Sequence, residues 1–152
     1  MANTLVRVQN EDFDLAALAE QLRSEDASSG AIVTFTGIVR ELVDGELQGM
    51  FLEHYPGMTE NALRKIAEQA HQRWDLQQVI IIHRVGELHL NDNIVFVGVG
   101  SGHRKDAFEA AQFVMDYLKK DAPFWKKEIS ADGERWVEQK QSDLAAAGRW
   151  KK

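Results

Sequence analysis

The chain has 152 residues, enough to bury a sizeable core, and its 44% hydrophobic and 28% charged content is that of a globular protein. A formal net charge of −6 gives no general attraction for a polyanion, which argues against nucleic-acid binding through overall charge. The absence of cysteine excludes disulfides, thiolate nucleophiles and cysteine-held zinc or iron–sulfur centres.

Met1 to Arg7 lacks the apolar core of a secretory signal, and the longest apolar runs, Val79 to Ile82 and Ile94 to Val99, are too short to cross a bilayer. A cytoplasmic location without membrane contact is expected. Thr4 to Val8 reads as a short edge strand. Asp14 can cap a first helix whose Leu15, Leu18, Ala19 and Leu22 follow helical spacing. After a polar loop at Ser24 to Gly30, the β-branched and aromatic run Ala31 to Val39 predicts a strand, as does Met50 to Tyr55. The polar stretch Glu41 to Gly49 would join them as a hairpin connection.

Pro56-Gly57 predicts a turn, with Thr59 capping a second helix that carries the stripe Leu63, Ile66, Ala67, Ala70 and Trp74. Strand-like runs Val79 to Val85 and Ile94 to Val99 follow, separated by a turn at Asn91 to Asn93. A third helix is expected from Arg104 to Asp121, ending before Ala122-Pro123 because the residue before proline disfavours helix. Phe124 to Ile129 and Arg135 to Gln139 resemble a hairpin closed by Ala131 to Glu134, and Ser142 to Ala147 a short final helix. The order predicts an α+β class with one main sheet in a single domain spanning residues 1–152.

Chemistry concentrates after Val97-Gly98-Val99-Gly100, where a strand runs through Ser101-Gly102-His103 into the helix that Arg104 opens. A helix N-terminus offers unpaired backbone N–H groups and a positive dipole end to an anion, to which Ser101, His103 and Arg104 could add hydrogen bonds. The glycine spacing is neither that of a phosphate-binding nucleotide loop nor of a dinucleotide fingerprint, and tight packing alone would also explain it. Between Ser101 and Lys127 six Lys/Arg face four Asp/Glu, so a locally basic segment lies in an acidic chain.

On the third helix, Arg104, Phe108, Ala111, Gln112, Met115, Leu118 and Lys119 fall within a face about 120° wide. This face is expected to meet the core, with its two cations either snorkelling or lining a polar pocket. Lys126 and Lys127 should point to opposite faces of a strand, with Glu128 placed to orient one of them. Arg40 ends the strand Ala31 to Val39, where loops often carry ligand contacts. The five histidines show no metal-ligand spacing, so no metal is expected.

At these residues the sequence resembles the catalytic (large) subunit family of molybdopterin synthase. The resemblance is carried by Gly30 to Arg40, Leu52 to Thr59, His83 to Leu88, Ser101 to Arg104, Ala107 to Ala110, Met115 to Lys119 and Ala122 to Glu128. It implies an α/β hammerhead-type domain with an additional small β subdomain, forming a homodimer within a heterotetramer. Each subunit would bind a small ubiquitin-like sulfur-carrier subunit, whose C-terminal Gly-Gly thiocarboxylate delivers two sulfurs to cyclic pyranopterin monophosphate. No resident cofactor is implied.

Carried over by position, Lys119 and Lys126 are the catalytic lysines. Arg40, His103 and Arg104 are anion-binding positions, and Ile38, Val39, Lys127 and Glu128 are neighbouring substrate contacts. Lys140 stands where some relatives have arginine, which keeps charge but not the bidentate fork. The expectation is that Arg40, His103, Arg104, Lys119 and Lys126 gather in one cationic cavity. The alternatives are a lysine Schiff-base lyase acting on a phosphorylated sugar and a noncatalytic module binding a protein tail or nucleotide.

Overall fold

The computed structural model describes residues 3–23, 27–41, 47–137 and 141–150. In chain order it contains β1 (Asn3–Gln9), α1 (Leu15–Gln21), β2 (Ala31–Ile38), β3 (Leu47–His54), α2 (Met58–Arg73) and β4 (Leu76–Arg84). These are followed by β5 (Gly86–His89), β6 (Asn93–Ser101), α3 (Arg104–Asp121), β7 (Phe124–Ser130), β8 (Gly133–Val137) and α4 (Gln141–Gly148).

Two four-stranded sheets form, ordered β1-β4-β6-β2 and β5-β3-β7-β8, where one main sheet was expected. β2 and β3 do not make a hairpin. β2 pairs antiparallel with β6, whereas β3 pairs antiparallel with β5 and β7. Alternation of side chains tells which face of a strand is buried but not which strand lies beside it, so the change of sheet was not legible. Leu42 to Glu46, in the connection, lie outside the described residues. The short β5 was missed because it follows β4 after only Val85; Gly86, at φ +89°, makes the bend possible.

The first sheet is covered on both faces. Val79 and Ile81 of β4 and Val95, Val97 and Val99 of β6 meet Leu63, Ile66, Ala67 and Ala70 of α2 and Ala107, Ala110, Val114 and Leu118 of α3. The alternate residues Ile80, Ile82 and Phe96 meet Leu18 and Leu22 of the α1 segment. Gly98 shares that second face, and a Cβ there would stand 2.6 Å from Leu22 Cδ1 and 2.8 Å from the Phe96 ring. The second sheet buries a smaller core of Leu47, Met50, Leu52, Val85 and Leu88, joined by Val39. An α+β chain with a smaller β subdomain results.

Asp14 caps α1 as expected, accepting from the backbone N–H groups of Ala16 at 3.0 Å and Ala17 at 3.2 Å. α2 is capped differently. Gly57, at φ +84°, takes the N-cap position and its N–H donates to Glu60 Oε1 at 3.0 Å. Thr59 lies inside the helix, accepting from Tyr55 N–H and donating to Pro123 O, each at 3.0 Å. Its hydroxyl thus ties the start of α2 to the turn between α3 and β7.

The expected core face of α3 also needs correction. Ala107, Ala110, Ala111, Phe113, Val114, Asp116 and Leu118 are buried, whereas Arg104, Phe108, Gln112 and Lys119 are exposed. Small alanines allow the helix to approach the sheet closely, which rotates the buried stripe away from the larger Phe108. Only the folded packing shows that this flank of the helix is left uncovered within one chain.

Candidate active site

The site residues fall at two ends of the first sheet. β2 runs antiparallel to β6, so Ile38 lies opposite Asn93 at the start of β6, and Ala31 lies opposite Ser101 at its end. α3 leaves from the Ser101 end and packs back along β6, returning Lys119 towards the Asn93 end. Ile38, Val39, Arg40, Lys119 and the strand bearing Lys126 therefore share one end. His103 and Arg104 stay at the other. Fifteen residues of α-helix separate Arg104 from Lys119, a span of about 22 Å. Within one chain the five cations are not a single cavity.

At the lysine end, Ile38 is exposed, Val39 is fully buried in the small core and Arg40 is exposed. Val39 fixes the exit of β2: its N–H donates to Asp92 O at 2.9 Å and its carbonyl accepts from Asn91 N–H at 2.8 Å. In β7, Phe124, Lys126 and Glu128 alternate with Trp125, Lys127 and Ile129 across the two faces of the strand. Lys126 lies opposite Leu52 of β3 and is half-buried. Glu128, opposite Met50, accepts from Arg135 Nη2 at 3.3 Å.

Lys127 takes the other face, as strand alternation predicted. Its ammonium pairs with Glu134 at 3.0 Å and sits 5.3 Å from the ring centroids of both Phe51 and Trp136. Those contacts hold it away from Lys126.

His83, to which no role was attached from sequence, is only 6% exposed at the end of β4. Its ring stacks on Phe124 at a centroid distance of 3.8 Å and an interplanar angle of 20°. Nδ1 lies 2.8 Å from Arg84 O, an acceptor only, so Nδ1 carries the proton and donates. Burial pushes the imidazole down to about 4, the hydrogen bond to Arg84 opposes this, and the charges of Lys119 and His54 lower it further. The ring is neutral at neutral pH. A signal existed: His83 shares strand parity with the apolar Val79 and Ile81 and so had to be a core-facing histidine.

At the opposite end, His103 is the N-cap residue of α3 without a side-chain capping bond, and both it and Arg104 are exposed. Ser101, expected to help bind an anion, is fully buried and its hydroxyl donates to Asp75 O at 2.9 Å. It serves the loop rather than a ligand. Gly30 closes the same loop: its N–H donates to Ser101 O at 2.9 Å, and a Cβ there would stand 2.5 Å from Gly102 O. Lys140 lies outside the described residues. Among the described residues no three His, Asp or Glu are grouped to hold a metal ion, and no helix is long and apolar enough to cross a membrane.

The MoaE protein family model matches residues 8–121. The chain is 56% identical over 146 residues to the molybdopterin synthase catalytic subunit of Pseudomonas aeruginosa, covering 95% of this chain and 97% of that one. It superposes on the molybdopterin biosynthesis MoaE protein of Burkholderia ambifaria with a TM-score of 0.81 at 51% identity, covering 97% and 98% of the two chains. A subunit in the complex of subunits 1 and 2 of molybdopterin-converting factor from Helicobacter pylori shares the fold, with a TM-score of 0.74 at 20% identity over 89% and 91%.

Helices backing one sheet, with a smaller β subdomain beside it, define an α+β chain with the fold of the MoaE structures. The chain belongs to the MoaE protein family, and its role is in molybdenum cofactor biosynthesis as a molybdopterin synthase catalytic subunit.

Proposed function

We propose that the chain transfers sulfur to cyclic pyranopterin monophosphate from the thiocarboxylated C-terminus of a small carrier subunit, at a site shared by two copies of the chain. The observation that carries this reading is the α3–β7 junction, where one short turn, Ala122-Pro123, links Lys119 to the strand of Lys126. Arg40 follows the end of β2 at the same end of the first sheet. Lys119 and Lys126 transfer protons and stabilise negative charge as each thiocarboxylate sulfur attacks the pterin. Each new C–S bond replaces a C–O bond of the pterin side chain, one oxygen leaving with the phosphate as its ring opens and the other as water. Hydrolysis of each acyl–sulfur bond leaves the sulfur on the pterin and returns the carrier as a carboxylate. Cations preorganised in a water-poor pocket can contribute several kcal/mol to such steps.

The phosphate-binding pair His103 and Arg104 comes from the second copy. The span of α3 argues for this, and so does the exposed apolar surface between the two ends. Phe108 is 63% exposed, and Phe35 (43%) and Ile38 (50%) lie on β2, the edge strand of the first sheet. An apolar edge of this kind is normally covered by another chain. A homodimer with one carrier on each subunit, a heterotetramer, accommodates both needs, and the cytoplasm is the compartment in which the assembly works.

The test combines the protein, a thiocarboxylated carrier and cyclic pyranopterin monophosphate, and measures the dithiolene product. Lys119→Ala should sharply reduce product while carrier binding and folding persist. Near-normal turnover would refute the assignment. Arg104→Ala should also be inactive, yet mixing it with Lys119→Ala and allowing subunit exchange should restore about a quarter of the sites, since half of the dimers are mixed and each holds one intact site. Failure to complement in demonstrably mixed dimers would refute the shared site.

A further inference from the structure

We propose that His83 is a positioning residue for the lysine pair: its flat ring, held between the Arg84 carbonyl and the face of Phe124, fixes the course of the chain from Lys119 to Lys126. This rests on the functional reading above.

The segment between the two lysines is held by turn hydrogen bonds and then by the pairing of β7 with β3. Ala122 N–H donates to Leu118 O at 3.2 Å, closing α3, and Phe124 N–H donates to Ala122 O at 2.9 Å. Pro123 O accepts from Thr59 at 3.0 Å. Beyond these contacts β7 is paired with β3, from Phe124 opposite His54 to Lys126 opposite Leu52, and Phe124 is the residue that docks the start of this pair against the first sheet. Phe124 packs against the cores of both sheets and lies on the same face of β7 as Lys126. His83 belongs to the first sheet, between Val8 of β1 and Val95 of β6, and Phe124 belongs to the second, opposite His54 of β3.

The stack therefore joins the sheets where α3 hands the chain to β7. Lys126 is two residues further on, about 6.6 Å along the strand, so any tilt at Phe124 moves its ammonium directly.

Neutrality is part of the device. The titratable groups acting on the ring are Lys119 from α3 and His54 from β3. The Arg84 guanidinium is turned elsewhere, donating to Asn10 O at 3.1 Å and Asn93 O at 3.0 Å. A neutral ring adds no third cation beside Lys119. Its fixed tautomer satisfies the Arg84 carbonyl, which would otherwise be buried with one partner fewer.

The experiment uses the full assay with carrier and pterin, comparing wild type, His83→Ala and His83→Phe. Removing the ring should lower kcat about ten- to a hundredfold per folded molecule, because misplacement near 1 Å has effects of that size. KM for the pterin and carrier affinity should change little. His83→Phe keeps a flat, neutral partner for Phe124 and should recover most of the turnover. His83→Gln, which has no ring, replaces the alanine variant if that one does not fold.

Wild-type kcat in the ringless variants, a defect confined to KM, or a phenylalanine variant as impaired as alanine would each overturn the proposal. A wild-type protein that makes no product would instead refute the functional reading, and the proposal with it.

Discussion

Protonation of His83 should make the fold acid-sensitive, and the structure sets the size of the effect. The folded imidazole sits at about 4, against 6.5 for an ordinary histidine, because burial removes water from its charged form. Above pH 6.5 it is neutral in both folded and unfolded chains and contributes no pH dependence. Between 6.5 and about 4 the unfolded chain takes up a proton that the folded chain refuses, so stability falls as pH falls. Below 4 both states are charged and the slope ends. The full gap corresponds to about 3 kcal/mol.

The clean comparison is the difference between wild type and His83→Phe, in which all other histidines and carboxylates are common to both. Urea unfolding at several pH values from 7.5 to 4.5 measures it. At pH 7.5 the variant should be less stable by about 1 kcal/mol, since Arg84 O loses a donor. As the pH falls, wild type should lose up to about 2–3 kcal/mol relative to the variant. Curves that remain parallel across the range would refute the claim that a buried neutral His83 joins the two sheets.

Three other expectations follow from the packing. Asp116 is buried and accepts from Trp150 Nε1 at 2.7 Å and Gln112 Nε2 at 2.9 Å, with Arg149 Nε at 3.5 Å, so it pins the end of α4 to α3. Asp116→Ala should cost about 3 kcal/mol and visibly lower the melting temperature, whereas a loss within error would refute the pinning role. Gly98→Ala would press a methyl against Leu22 and Phe96 and should cost about 1–3 kcal/mol in denaturant unfolding. Lys126→Ala should reduce product formation far more than Lys127→Ala, because Lys127 is engaged with Glu134, Phe51 and Trp136 on the opposite face. Equal losses would contradict that geometry.

Much of the local structure was legible. Asp14 caps α1 because a short carboxylate can reach two free N–H groups, and α3 stops at Asp121 because Pro123 follows. The opposed directions of Lys126 and Lys127 follow from strand alternation alone. The Thr59 cap failed because Gly57, able to adopt φ +84°, starts α2 earlier and frees the threonine for Pro123. The core face of α3 was misplaced because hydrophobicity ranks Phe108 above Ala107 and Ala110, whereas close helix–sheet packing selects the smaller residues.

By itself the sequence determined the α+β class, the positions of most helices and strands, the chemistry available to a cysteine-free cationic site and the family. These depend on composition, periodicity and ordered motifs, all of which are local or additive along the chain. Only the tertiary structure decided that β2 and β3 enter different sheets, that His83 lies beneath Phe124, and that α3 returns Lys119 to the Ile38 end of the first sheet while Arg104 stays at the Ser101 end. Strand partners and distances between motifs arise from long-range packing. Residue identities therefore named the cations, but the rigid length of α3 determines which of them one chain can bring together.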